Sequence, residues 1–321
     1  MHEITRIFVE KRYFCIFIAL QNEKEFVKPG LNRYDMIVTV LGSGTSQGVP
    51  VIGCTCPVCQ SKDPRDKRLR TSILIQTDEV TVAVDAGPDF RQQMLRENVA
   101  KLDAVIVSHE HKDHIGGLDD LRPFIFMNKA PMPLYVADTA LPEIKREYSY
   151  AFEEHPYPGA PTYDIRRLDE TPFDLGDLHI IPIKLKHFTL TCYAFRIGNF
   201  AYVTDLSEIS EEAIKKLQGV EYLIIEALQK KKHYSHLTLD EAIEISRKVG
   251  AKKTWFTHCS HSMGLAADIN RELPEGMMLA YDGLKIEINK CGMQNTECGI
   301  GAKPSSASRY SAFIIPNSEL K

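Results

Sequence analysis

The sequence predicts an α/β protein, with two sheets sandwiched between helices. Three observations lead there. Short apolar runs rich in strand formers recur from Met36 to Ile288. Helical patterns lie among these runs throughout rather than in a separate block. The chain has 321 residues, which suits one large α/β domain or two smaller ones.

Residues 1–35 have no clear periodicity and read as an N-terminal extension that need not be native to the domain. Its most apolar run, residues 13–20, is too short for a bilayer, and no small-x-small cleavage site follows it. The character changes at Met36, a candidate start, where "MIVTVLGSGTSQG" is a β-branched strand entering a Gly/Ser turn. Further strands are expected at 73–75, 80–84, 104–108, 134–136, 178–183, 192–197 and 200–203, then at 222–225, 254–257, 278–281 and 284–288. Helix 210–217 carries Ala213, Ile214 and Leu217 on one face and stops at Gly219. Helix 238–249 opens with a capping box, Thr238 with Glu241, and stops at Gly250; its apolar face is Ala242, Ile245 and Val249. Residues 141–172, rich in proline, read as a long loop with one helical stretch at 142–152. The main domain is therefore expected over 36–289, with 290–321 a poorly ordered tail of small and polar residues.

The charge balance limits function. A net charge of −4 gives no reason to expect a general nucleic-acid or membrane binder. Three of the eight cysteines, Cys54, Cys56 and Cys59, lie within six residues. In a chain of this size, clustered thiols mark metal more often than a disulfide framework, which fits a cytoplasmic protein.

The chemistry concentrates in "SHEHKDHIGG", residues 108–117. An apolar strand delivers His109, His111, Asp113 and His114, whose nitrogens and oxygens are ligands for zinc, manganese or iron. His109 and His111, two apart on extended backbone, point the same way, and Asp113 and His114 can face a second ion. Gly116 and Gly117 let the backbone turn tightly there. Three more ligands close strands: His187, Asp205 and His258. One metal would take His109, His111 and His187, the other Asp113, His114 and His258, with Asp205 and a water between them. Asp85, at the end of "VTVAVD", is placed to orient a metal-bound histidine. Thr45 and Ser46 are candidates for shaping the site, and His155 reads as a surface histidine.

This pattern resembles the metallo-β-lactamase superfamily over roughly Met36 to Ile288. The resemblance implies a four-layer αββα sandwich with the metals at one edge of the sheets. Cys54, Cys56 and Cys59 with His261 make a closed three-thiolate, one-imidazole set suited to a structural zinc. Together with "GSGTSQGVP", "RLRTSILI" and "HYSHLTLDEA", that set is similar to the phosphoribosyl 1,2-cyclic phosphate phosphodiesterases (PhnP-like). The resemblance implies that His236 is the general acid beside the leaving oxygen, with His233 a competing choice; an imidazole suits that work. Asp113 joins His236 in the expected catalytic set. The implied enzyme is a dinuclear metal-dependent phosphodiesterase acting on a small cyclic or nucleotide-like diester through a metal-bridging hydroxide. Its cofactors would be two divalent ions and one structural zinc. Homodimers are common among such relatives. The rivals are an RNase Z-like nuclease, disfavoured by the missing basic arm and the negative charge, and a PqqB-like protein of cofactor synthesis.

Overall fold

A computed structural model of the chain describes residues 35–289. The tail over 290–321 lies outside the described residues, as does the extension over 1–35 apart from Asp35. Strands β1 (Met36–Gly42), β2 (Ser72–Gln76), β3 (Thr81–Val84), β4 (Ala104–Ile106), β5 (Met132–Val136) and β6 (Tyr163–Arg167) form one sheet, joined at its edge by β14 (Lys285–Ile288). The second sheet holds β7 (Phe173–Leu175), β8 (Leu178–His187), β9 (Leu190–Ile197), β10 (Phe200–Val203), β11 (Tyr222–Glu226), β12 (Lys253–Thr257) and β13 (Met277–Leu279). Each sheet has seven strands and mixes parallel and antiparallel pairs.

Alternation along the strands builds the layers. Ile73 and Ile75 of β2, Val82 and Val84 of β3, and Phe200 and Tyr202 of β10 meet in the core between the sheets. Their neighbours face outward. Leu74 and Ala83 pack on α2 (Phe90–Arg96), α4 (Arg122–Asn128) and α5 (Leu141–Glu147) through Phe90, Met94, Phe124, Ile125 and Ile144. Ala201 and Val203 pack on α6 (Glu211–Leu217), α7 (Leu239–Val249) and α8 (Ala266–Glu272) through Ala213, Leu217, Ala242, Ile245 and Ile269. The result is the expected four-layer helix–sheet–sheet–helix sandwich. The short helices α1 (Pro57–Gln60) and α3 (Lys112–Ile115) belong to the loops that carry the cysteines and histidines.

Two helices match their sequence signals closely. Helix α7 has the full capping box, with the Thr238 side chain accepting from the Glu241 N–H, and Gly250 closes it at φ 80°. Ser210 caps α6 through Ala213 N–H. Two strands were not expected. The stretch 141–172, read as a loop with one helix, also contains β6, and β7 follows it at once. Both are edge strands with charged, half-exposed residues, so they lack the apolar run that marks a buried strand.

Parallel pairing of β3 with β4, and of β10, β11 and β12, turns their C-terminal ends toward one rim of the sandwich. The backbone is under unusual constraint there. Of the six non-glycine residues with positive φ among those described, Asp85, Phe188, Asp205 and His258 sit where β3, β8, β10 and β12 end. For side chains other than glycine this conformation is uncommon, and it concentrates at functional sites.

Candidate metal centre

The loop after β4 enters the rim with Ser108 and His109. It is pressed against the loop after β3: a Cβ on Gly87 would lie 2.0 Å from the Asp113 carbonyl oxygen, and one on Gly117 would lie 2.1 Å from the Gly87 carbonyl oxygen. Only glycine permits this approach. Helix α3 then turns Asp113 and His114 back into the protein.

The seven expected ligands come together. Ligand atoms of His109, His111, His187 and Asp205 lie within 4.8 Å of one another, as do those of Asp113, His114, Asp205 and His258. Asp205 is shared. Its Oδ2 is 3.6 Å from His109 Nε2, 4.0 Å from His187 Nε2 and 3.3 Å from His114 Nε2; its Oδ1 is 3.3 Å from His258 Nε2. Asp113 Oδ2 is 3.4 Å from His114 Nε2 and 3.5 Å from His258 Nε2. All seven except His111 are buried. Burial alone would push the His109 imidazole well below its usual pKa. For Asp113 and Asp205 burial opposes ionisation, but the facing imidazoles outweigh it and hold both carboxyls far below their usual range.

These residues fit a pair of cations. Nε2 of His114 and both ring nitrogens of His258 are buried without a hydrogen-bond partner among the described residues. Buried polar atoms are rarely left so, and a metal ion would satisfy the Nε2 atoms of His114 and His258, which both face Asp113 and Asp205. The outward nitrogens are mostly held. Asp85 Oδ2 lies 2.7 Å from His114 Nδ1, and Ser108 ties Asp85 down through its N–H at 2.7 Å and its hydroxyl at 2.8 Å. His187 Nδ1 faces the Ser235 carbonyl at 3.1 Å. Such partners fix ring orientation and tautomer.

His236 stands over this cluster, its ring stacked on that of His258 at 4.9 Å. Its Nδ1 is 2.7 Å from Glu226 Oε2. Burial works against protonation, but the charge and hydrogen bond of Glu226 prevail and raise His236 to about 9. Glu226 is fully buried, and its other oxygen accepts from Leu206 N–H at 2.6 Å. Sequence reasoning missed Glu226. The signal was available: "YLIIE" is an apolar strand ending in a carboxylate, as "VTVAVD" is. His233 lies beside His236, with its Nδ1 3.1 Å from Ser235 Oγ and its ring on Tyr234. Ser46 also lines the metal pocket, whose volume is about 340 Å³, and Phe188 and Tyr234 form its exposed aromatic rim. Thr45 lies just beyond, and His155 is exposed and does not line the pocket. A larger open groove of about 800 Å³ adjoins along Phe188–Leu190 but contains no histidine.

The cysteines form a separate cluster. His261 Nδ1 lies 3.2 Å from Cys54 Sγ, 3.6 Å from Cys56 Sγ and 3.5 Å from Cys59 Sγ. The Cys56 sulfur accepts the Cys59 N–H, which draws its thiol down to about 6 and favours the ligating thiolate. This arrangement joins the loop around α1 to the segment that follows His258.

A family model described as the β-lactamase superfamily domain matches residues 81–259, the stretch that carries all seven rim ligands. The chain belongs to the β-lactamase superfamily. Its metallo-β-lactamase fold implies divalent metal ions. A solved structure described as a new diphosphatase from the PhnP family is 41% identical, with a TM-score of 0.74, covering 79% of this chain and 98% of that one. An octanoyltransferase of Porphyromonas gingivalis is 38% identical over 258 residues, which are 79% of this chain and 52% of that protein. The chain thus spans about half that relative's length. A probable metallo-hydrolase, YhfI, of Bacillus subtilis is 26% identical over 70% of this chain and 91% of its own. Among the described residues no helix is long and apolar enough to cross a membrane.

Proposed function

We propose that the chain is a dinuclear metal-dependent phosphodiesterase for a small diester. The observation that carries this reading is Asp205 between two ligand sets, with the Glu226–His236 pair directly beside them. His109, His111 and His187 would hold one cation and Asp113, His114 and His258 the other, with Asp205 common to both. Bound there, two divalent cations would lower the pKa of water and neutralise the nonbridging oxygens of a phosphoryl group. Cys54, Cys56, Cys59 and His261 would hold a structural zinc.

The chain's own residues supply the rest. Asp85 and Ser108 keep His114 aimed inward. Burial of every ligand but His111 shields them from bulk water. Glu226 keeps His236 doubly protonated: Nδ1–H donates to Glu226, and the Nε2 proton goes to the departing oxygen as the bond from phosphorus to that oxygen breaks and a hydroxide oxygen bonds to phosphorus. The 41% identical PhnP-family diphosphatase supports chemistry at phosphorus. Zinc, manganese and iron all suit imidazole and carboxylate ligands.

The test is hydrolysis of bis(p-nitrophenyl) phosphate, 2′,3′-cyclic nucleotides and a p-nitrophenyl acyl ester by metal-replete protein. The diesters should be cleaved and the acyl ester spared. The His236→Ala protein should lose roughly 10²–10⁴-fold on the cyclic nucleotide, whose alkoxide needs the proton, and less on the nitrophenyl diester. Preferential cleavage of the acyl ester would overturn the reading.

A further inference from the structure

A file of buried hydroxyls runs beneath the rim ligands, and the proposed reaction makes no use of it. Thr204 Oγ1 donates to Asp205 Oδ1 at 2.7 Å. The Tyr202 phenol is hydrogen-bonded to the Thr204 side chain. It also lies 3.4 Å from Thr71 Oγ1, which in turn lies 3.0 Å from Thr257 Oγ1. All four residues are buried. The file begins at Asp205 and ends at the residue before His258, so both of its ends abut rim ligands. We infer that Thr204 is a positioning residue: its hydroxyl fixes Asp205 so that one carboxylate oxygen serves both ligand sets, and so decides that the rim holds two cations rather than one. The inference rests on the dinuclear reading and names what maintains it.

The two oxygens of Asp205 give the first reason. Oδ2 is the nearer oxygen to His109 and His187 of one set, at 3.6 and 4.0 Å, and to His114 of the other, at 3.3 Å. Oδ1 is the nearer to His258, at 3.3 Å, and it is the oxygen that Thr204 occupies. A carboxylate turns broadly about its last torsion and has lone pairs on both oxygens, so an untied Asp205 could turn both toward one cation. The hydroxyl prevents that by claiming Oδ1. The direction of the file gives the second reason. An ionised carboxylate only accepts, so Thr204 spends its one proton on Asp205 and can only accept from Tyr202. Burial pushes the Tyr202 phenol well above its usual pKa, so its proton is there to give. Hydroxyls aligned in this way polarise one another and strengthen the last bond of the file. Strain gives the third. Asp205 has φ 41°, and among the described residues the Thr204 hydroxyl is the one donor to its carboxylate that is not an imidazole. Such a backbone persists only where its surroundings over-determine it. Tyr202 stands in the core between the sheets, where phenylalanine would fill the space without a polar group to satisfy.

The test is equilibrium dialysis of protein prepared without chelator against a series of zinc buffers, counting ions per chain. Wild type should hold three. Thr204→Val keeps the shape and removes the hydroxyl; it should keep the cysteine-bound ion and one rim ion, and release the other at about 10–100-fold higher free zinc than wild type does. Thr204→Ser, which restores the hydroxyl, should follow wild type. Should the valine protein fail to fold, Thr204→Ala carries the same expectation. A threonine of merely structural value would lower the thermal midpoint and leave the zinc curve in place. The role is overturned if the valine and wild-type curves coincide, if both rim ions leave together, or if the serine protein loses the ion as readily as the valine protein. A wild-type rim that never holds more than one ion overturns the dinuclear reading itself, and this role with it.

Discussion

Replacing Glu226 with glutamine tests the proton delivery system with little change of shape. Glutamine keeps an oxygen for the Leu206 N–H, which Glu226 accepts at 2.6 Å, but removes the negative charge that lies 2.7 Å from His236 Nδ1. With Glu226 in place, His236 is raised to about 9. A group with a raised pKa keeps its proton up to that value, so a reaction that needs the acid form should hold its rate through neutral pH and lose it as pH climbs through about 9. Without the charge His236 falls back toward the ordinary histidine value of about 6.5, with burial pulling it down and Asp205 and Asp113 lifting it. Protonated fractions follow. At pH 8 a group at 9 is about 90% protonated and one at 6.5 about 3%, a loss of up to about 30-fold; at pH 6 the two differ by less than about twofold. The assay is the pH profile of kcat/KM on a substrate with an alkoxide leaving group, wild type against Glu226→Gln. The alkaline limb should move toward acid by one to two pH units on the order-of-magnitude scale of such charge pairs. A loss equal at every pH, or an unmoved limb, would refute the role given to the Glu226–His236 pair.

Three further outcomes are expected. Asp85→Asn should weaken the second cation's affinity about 10–100-fold, read by competition with a chelating dye, because His114 loses the carboxylate at 2.7 Å that orients it; unchanged affinity would count against that role. Cys59→Ser should lower the metal content by one ion and the thermal midpoint together, since the cluster joins two distant loops; loss of activity with full metal content and an unmoved midpoint would count against a structural site. Phe200→Ala, a fully buried ring between the sheets, should cost about 3–5 kcal/mol in urea unfolding; a cost below about 1 kcal/mol would place that ring outside a tightly packed core.

What the sequence made legible follows from how strongly each feature constrains its residue types. Strands buried on both faces, such as β4 and β10, read as unbroken apolar runs, and a ligand at the end of such a run stands out because burying it alone is costly. That contrast exposed His109, His187, Asp205 and His258. Helix α7 was readable to its caps because a capping box and a closing glycine are local signals. Strands β6 and β7 were hidden because an edge strand needs only one apolar face, and a charged one protects the edge. Glu226 was hidden for another reason. Its role depends on His236, ten positions away, reaching back to it across the loop that follows β11, and that proximity is tertiary. The placing of Thr45 and Gln47 beside Gln229 around one pocket was equally invisible, since the segments that follow β1 and β11 come together there only through the fold.

Metal content per chain tests the seven-ligand cluster most directly. Protein prepared without chelator and analysed for zinc, manganese and iron should hold three ions per chain, two at the rim cluster and one at the cysteines. The Asp205→Ala protein, still folded by circular dichroism, should retain the cysteine-bound ion and lose one or both of the others. A wild-type protein with a single ion, or three ions undiminished by the loss of Asp205, would contradict the dinuclear centre.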